Sequence, residues 1–345
     1  MREPENMLHM YSRWCAVLSI AAAVTAAGAT RPRYGGTLRV EVRAAGEAAD
    51  PPQTGRGMAD LADAFTITRW EAGRIAVYSA NDNASGGRPY LDTVEIQMAR
   101  PLREQAIDLE LGKADVVELG VNEPRRTAAG RKTWTSAPVR LMALVFGPRV
   151  TDERIREALA LAVDRAAIHN VLLQRQGEIS GALLPQWISG YAFLFPTGVE
   201  MNRARSLVAA SPASARAFSF GFEDAGLRQI AERVVLNARD AGLTLAVSAS
   251  GNSDVKLVEI RIGSDEPWRA LGGVAAALGL PEPARGDSPE ALLAAERGLL
   301  TGFRVIPLFH LPESYGVGAR VRGGPGITPL GAWRFGDLWV EGSRP

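Results

Sequence analysis

The sequence predicts an α/β fold, long enough for two or three domains. Three observations carry this. The chain has 345 residues, 46% hydrophobic and 22% charged, globular proportions that supply a sizeable core. Its amino-terminal third holds short stretches that alternate apolar and polar residues, the period of a half-buried strand. Further on, amphipathic helical stretches alternate with apolar strands over short connections, the rhythm of an α/β unit.

Residues 37–43 (TLRVEVR) set Leu38, Val40 and Val42 on one face and predict a strand. Residues 44–64, rich in Ala, Gly, Pro and Asp, read as a loop. A short strand over 74–79 leads through the Asn/Asp/Gly turn of 81–89 to an alternating strand over 91–98. Residues 103–111 suit a helix stopped by Gly112, 115–119 a strand, and the stretch to about 136 a loop. Residues 140–146 (RLMALVF) form a near-continuous apolar run, as in a strand buried on both faces, ended by Gly147-Pro148. Thr151 caps a long helix with Asp152 and Glu153 in its first turn and Ile155, Leu159, Ala162 and Val163 inward, running on to Leu173. An aromatic-rich loop over 184–196 follows. Residues 224–242 read as a helix with Leu227, Ile230, Val234 and Ala238 inward, 243–247 and 255–262 as strands, 267–278 and 288–300 as helices, and 305–311 as a last buried strand. The Gly-rich tail docks Trp333, Phe335, Leu338 and Trp339 on the core. No fixed-period repeat is visible.

Charge and composition exclude several classes. Thirty-nine basic residues against 38 acidic leave a net charge of +1, without the basic face of a dedicated nucleic-acid binder. Arg125, Arg126, Arg131 and Lys132 read as a solvated loop. One cysteine, Cys15, and three histidines, His9, His169 and His310, build no Cys/His metal cluster, so no metal and no cofactor is expected. Residues 15–29 are an uncharged apolar run behind Arg13, ending in Ala27-Gly28-Ala29; they read as a secretory signal peptide over residues 1–29, cleaved on export. Trp14 before Cys15 argues against a lipoprotein. The exported chain then holds no cysteine and relies on core packing rather than disulfides.

Enzyme signatures are missing: no Gly-x-Ser-x-Gly elbow, no phosphate loop, no His-Glu-x-x-His. His169 and His310 sit in regular elements and read as structural, so no catalytic residue is assigned. Asp152-Glu153 and Glu223-Asp224 fall at helix starts, where the helix dipole favours acids. Asp265-Glu266 has the same explanation, but also stands at a strand end, where α/β folds hold ligands; Asp265 is therefore a candidate ligand-binding residue. Trp187, Tyr191, Phe193 and Phe195 lie within nine residues. The two phenylalanines suit a core. Trp187 and Tyr191 join an apolar ring to a polar handle, as binding clefts do, and are the other two candidates.

Five stretches together resemble the extracellular solute-binding proteins of family 5, the peptide- and nickel-binding class of ABC importers. They are RYGGTLRVEV (33–42), GGRPYLDTVEIQM (86–98), LELGKADVVEL (109–119), LVFGPRVTDERIREALALAVDRAAIHNVLL (144–173) and AERGLLTGFRVIPLFHLPESYGV (295–317). The fourth is the most specific. The resemblance implies a two-lobed, type II periplasmic binding protein of the Venus-flytrap kind. Lobe I would be 30–147 plus 303–345 and lobe II 148–302, with a hinge crossing where 140–146 runs into Gly147-Pro148. It implies a periplasmic, monomeric, non-enzymatic protein that captures a peptide or similar small polar solute for an ABC permease in the inner membrane. The chain also departs from the family. About thirty residues between Val42 and Arg74 stand where relatives carry a whole extra domain, which is largely missing. The family's Gly-Trp-x-x-Asp region, whose aspartate holds a peptide amino group, is replaced by IRIGSDEPW (260–268), where Asp265 is a substitute. These losses keep an alternative open: a degenerate member acting as a non-transporting sensory or scaffold protein.

Overall fold

The computed structural model describes residues 31–43, 61, 63–120, 132–222, 225–248 and 253–342. The predicted signal peptide, most of the 44–64 loop, Arg125, Arg126, Arg131 and the Glu223-Asp224 pair lie outside these.

The strands are β1 (Thr37–Glu41), β2 (Phe65–Glu71), β3 (Ile75–Ala80), β4 (Thr93–Gln97), β5 (Val116–Glu118), β6 (Lys132–Phe146), β7 (Glu178–Ile179), β8 (Ala217–Phe222), β9 (Thr244–Val247), β10 (Val255–Arg261), β11 (Val305–Val317), β12 (Val321–Arg322) and β13 (Trp339–Val340). The helices are α1 (Leu102–Glu110), α2 (Glu153–Ala162), α3 (Gln186–Ser189), α4 (Met201–Ala209), α5 (Arg228–Asp240), α6 (Pro267–Ala277) and α7 (Pro289–Leu300), with shorter turns between them. One mixed sheet runs β2-β3-β4-β1-β5-β11-β6-β10-β8-β9, with β7 paired on β11.

Among the described residues, two large hydrophobic clusters share this sheet, beside a small third of Leu109, Ala114, Val117 and Leu119. The smaller gathers Leu38, Val40, Val94 and Ile96 with the tail residues Trp333, Phe335 and Leu338, so the tail docks as expected. The larger packs the inward faces of α2, α5, α6 and α7 on β6, β10 and β11. Among the described elements, only β6 and β11 contribute to both. On β6, Trp134 belongs to the smaller cluster and Leu141–Leu144 to the larger; on β11, Val305–Leu311 lie in the larger and Tyr315 and Val317 in the smaller. The passage between the cores lies where Pro138 pairs with Pro312, with register shifts on both sides of Pro312. Two facing prolines remove ladder N–H groups there, the usual reason for irregularity in a strand. Residues of 141–146 and 305–311 pack in the larger cluster.

Local differences have local causes. The long helix from Thr151 is two pieces: Asp152, not Thr151, caps α2 by accepting from the Arg154 amide, and Val163 turns extended (ψ 114°). Asp164 then caps a second turn through the Ala167 amide. That break buries Arg165, whose guanidinium donates twice to the Pro307 carbonyl and once to Ala160, each at 3.1 Å. With no carboxylate partner, burial pulls its pKa down to about 10. The strand over 140–146 begins eight residues earlier, at Lys132, and the last strand extends to Val317, because both continue into the smaller core. Strands β2 and β8 and helix α4 were not expected. β2 is a sheet edge whose outward residues leave only Phe65 buried.

Candidate functional site

The passage between the cores is where charge collects. β10 ends beside β6, with Arg261 opposite Arg140 and Glu259 opposite Met142. Residues two apart on a strand share a face, so Glu259 and Arg261 stand on one face with Arg140. Arg140 donates to Glu259 at 3.3 Å and to the Pro312 carbonyl at 3.0 Å. Arg261 donates to Glu313 on β11 at 3.1 Å and to the Leu330 carbonyl of the tail at 2.8 Å. Glu313 is almost fully buried (5% exposed), and its amide donates to Ser136 Oγ at 2.8 Å. Its Oε2 packs on Gly331, where a Cβ would come within 2.2 Å; that residue also needs φ +78°, so glycine alone fits. Three buried atoms of this cluster, Arg140 Nε, Glu259 Oε1 and Glu313 Oε2, have no hydrogen-bond partner within the protein. Buried polar atoms of that kind mark a place where water or a ligand completes the pairing.

The aromatic loop meets the same passage. Pro185 precedes α3, a single turn that Gly190 ends in the left-handed region (φ 80°). From this turn Trp187, 40% exposed, donates its indole N–H to the Pro138 carbonyl at 2.9 Å. Trp187 therefore stands at the junction with much of its ring open. Tyr191 goes elsewhere: its hydroxyl donates to Glu296 Oε2 at 2.7 Å inside the larger core. Burial, reinforced by the Glu296 carboxylate, pushes the Tyr191 phenol far above its ordinary value. Phe195 is buried as expected, but Phe193 is 67% exposed and is not core.

Asp265 lies four residues beyond Arg261, exposed, with no hydrogen bond or ion pair among the described residues. Its neighbour Glu266 caps α6, accepting from the Trp268 and Arg269 amides at 3.0 and 2.7 Å. The pair thus divides: Glu266 serves the helix, which holds its pKa below the ordinary value, and Asp265 does not. No contact joins Asp265 to Trp187 or Tyr191.

Both histidines are engaged by backbone. His310 is buried, its Nε2 at 3.1 Å from the Leu183 carbonyl and Nδ1 at 3.5 Å from Glu178. His169 Nε2 lies 3.1 Å from the Gly177 carbonyl, its ring stacked on Phe309. Among the described residues no group of three His, Cys, Asp or Glu is arranged to hold a metal ion, and no helix is long and apolar enough to cross a membrane.

Sequence reasoning missed Arg140, Glu259, Arg261, Glu313 and Glu296. A signal existed for Glu313: it stands inside the last apolar strand run, and acids are rarely buried without a partner.

A mixed α/β sheet shared by two packed clusters, with charged side chains and a half-open aromatic where β6 and β11 pass between them, frames the candidate site. The chain belongs to the bacterial extracellular solute-binding proteins, family 5, whose middle-region model matches residues 37–257. The oligopeptide-binding protein AppA of Bacillus subtilis is 23% identical over 144 residues, 40% of this chain and 26% of AppA. Among solved structures, the ABC transporter substrate-binding protein CtaP of Listeria monocytogenes superposes with a TM-score of 0.64 at 12% identity, covering 80% of this chain and 66% of CtaP. The periplasmic binding protein DppA of Helicobacter pylori, solved with the peptide STSA, gives 0.68 at 14% identity, covering 81% and 62%. The architecture is that of type II periplasmic binding proteins. The chain spans about two-thirds of the length of these solved relatives.

Proposed function

We propose that this protein is the substrate-binding component of an ABC transporter, capturing a peptide or similar small polar solute in the periplasm. The observation that carries the reading is the paired crossing at Pro138 and Pro312, where among the described elements two strands join two packed cores. Such a joint bends without breaking either core, and a ligand that touches both sides favours the closed form by its differential affinity. Membership of family 5 and relatives named as peptide-binding support the solute class. In this account the two cores are the two lobes, meeting near Pro138 and Pro312.

The ligand contacts are Trp187, whose half-open ring caps an apolar part of the solute, and Asp265, whose free carboxylate pairs a ligand ammonium. Tyr191 contributes its ring edge and holds the loop. The protein carries out no chemistry. It works as a monomer with an inner-membrane permease, after a leader over residues 1–29 has been removed. A thermal-shift screen with di- to pentapeptide mixtures tests this. A bound peptide at a hundred times its Kd stabilises by about 2.7 kcal/mol and raises the melting temperature. A flat response across peptides overturns the solute class. A second reading, a sensory or scaffold member that feeds no permease, draws on residues 260–268 (IRIGSDEPW), which stand in place of the family's Gly-Trp-x-x-Asp region. Peptide binding without uptake in a strain carrying the matched permease favours it.

A further inference from the structure

We propose that Glu296 is the positioning residue of the candidate ligand site: by holding both ends of the Leu183–Tyr191 segment it sets the placement of Trp187 against Pro138. The inference rests on the reading of Trp187 as a ligand contact.

Glu296 sits on the buried face of α7 between Leu292 and Leu299, fully out of solvent. No cationic side chain among the described residues forms an ion pair with it. Its carboxylate instead accepts three hydrogen bonds from one segment: the amides of Leu183 and Leu184 on Oε1 and the Tyr191 hydroxyl on Oε2. The Leu183 carbonyl is taken by His310 at 3.1 Å. The two amides come before α3 and the hydroxyl after it, so Glu296 brackets the turn that carries Trp187.

A four-residue helix cannot hold its own orientation, since nucleating one turn is unfavourable and no further turns repay it. Inside the turn, Ser189 Oγ donates to Pro185 and Tyr191 carbonyls, which closes it but does not aim it. Ile188 anchors one side of the turn in the larger core, and the polar contacts that set the Trp187 side are Glu296 behind and Pro138 in front. The identity of the group points the same way. An aliphatic residue between Leu292 and Leu299 packs this face without the cost of burying a carboxylate, so Glu296 is accounted for by geometry rather than by stability. Burial raises its pKa, opposed by the Tyr191 hydroxyl, the two amides and the nearby His310.

The test uses the full chain labelled with 5-fluorotryptophan, the Trp187 signal being assigned with Trp187→Phe. Indole N–H exchange and the fluorine shift are followed for Tyr191→Phe, Glu296→Leu and Glu296→Gln, with melting curves for each. The expected result is exchange at Trp187 about tenfold faster in Glu296→Leu, the factor given by one ordinary hydrogen bond. Tyr191→Phe changes it in the same direction by less. Glu296→Gln, which keeps an acceptor oxygen, restores most of the protection. Trp333 and Trp134, in the other core, stay unchanged. The inference is overturned if Trp187 is unmoved in Tyr191→Phe and Glu296→Leu while melting falls, because Glu296 is then a core residue only. Should Glu296→Leu not fold, Tyr191→Phe, which deletes one hydroxyl, decides alone. A separate titration of the wild type with a defined tetrapeptide mixture judges the ligand reading: a moved Trp187 with no peptide binding sinks that reading and leaves the positioning intact.

Discussion

Arg261→Gln is expected to loosen the junction and to do so through Glu313. The wild-type arginine reaches Glu313 at 3.1 Å and Leu330 at 2.8 Å, tying β10 to β11 and to the tail. Its own side chain is 30% exposed, that of Glu313 only 6%. An exposed ion pair is worth about 0–1 kcal/mol, whereas breaking a buried one costs about 3–5 kcal/mol because a charge is left unpaired. This pair lies between, and the asymmetry decides the sign of each variant. Removing Arg261 leaves a buried carboxylate with neither oxygen hydrogen-bonded and one carbonyl without its donor, a loss of about 2–4 kcal/mol. Glu313→Gln leaves an arginine that water can reach and costs about 1–2 kcal/mol. In the double variant the unpaired charge is gone, so its cost falls below the sum of the singles by about 1–2 kcal/mol. Urea unfolding of the four proteins measures this. Strict additivity of the two changes refutes the reasoning.

Three further outcomes follow. Arg165→Met strands the Pro307 and Ala160 carbonyls in the core, and stability should fall by about 3–5 kcal/mol, with Arg165→Lys intermediate because it lacks the planar fork; calorimetry showing Arg165→Met as stable as wild type contradicts the capture. Burial raises the Glu296 pKa above 4.5, so the folded state holds this proton more tightly than the unfolded one, and stability attributable to it is present at low pH and lost as pH rises above 4.5; Glu296→Gln should flatten that part of the stability–pH curve, and an unchanged slope argues against it. Trp187→Ala and Asp265→Asn should each weaken peptide binding about 10- to 100-fold with melting unchanged, since a charge-assisted bond is worth about 1.5–3 kcal/mol; calorimetric titration showing unchanged affinity removes them from the site.

The strands with clear periodicity were legible: β1, β4 and β10 each show alternation or an apolar run that tertiary packing had no reason to override. β8 was not, because AFSFGF has small and polar residues at half its positions and takes its place only by pairing with β9 and β10. The true extents of β6 and β11 were hidden for a different reason. Their outer halves carry Thr, Ser, Pro and Glu, which read as loop, yet Trp134, Tyr315 and Val317 among them pack in the smaller core and Ser136, Glu313 and Ser314 are buried. The place where the two cores meet was hidden with them, since an apolar run ending in Gly-Pro reads as a boundary. At the site, Trp187 was visible as an aromatic in a turn. Its partners were not, because Arg140, Glu259, Arg261 and Glu313 come from three strands that only the sheet brings together.

Closure of the two cores on a peptide is the claim on which the account stands. Small-angle scattering of the full chain, recorded without ligand and with saturating peptide from the thermal-shift screen, measures it directly. The account predicts a smaller radius of gyration and a narrower distance distribution with peptide, and a reduced response in Trp187→Ala at the same peptide concentration. A peptide that stabilises the protein while leaving the scattering curve unchanged contradicts the hinge at Pro138 and Pro312.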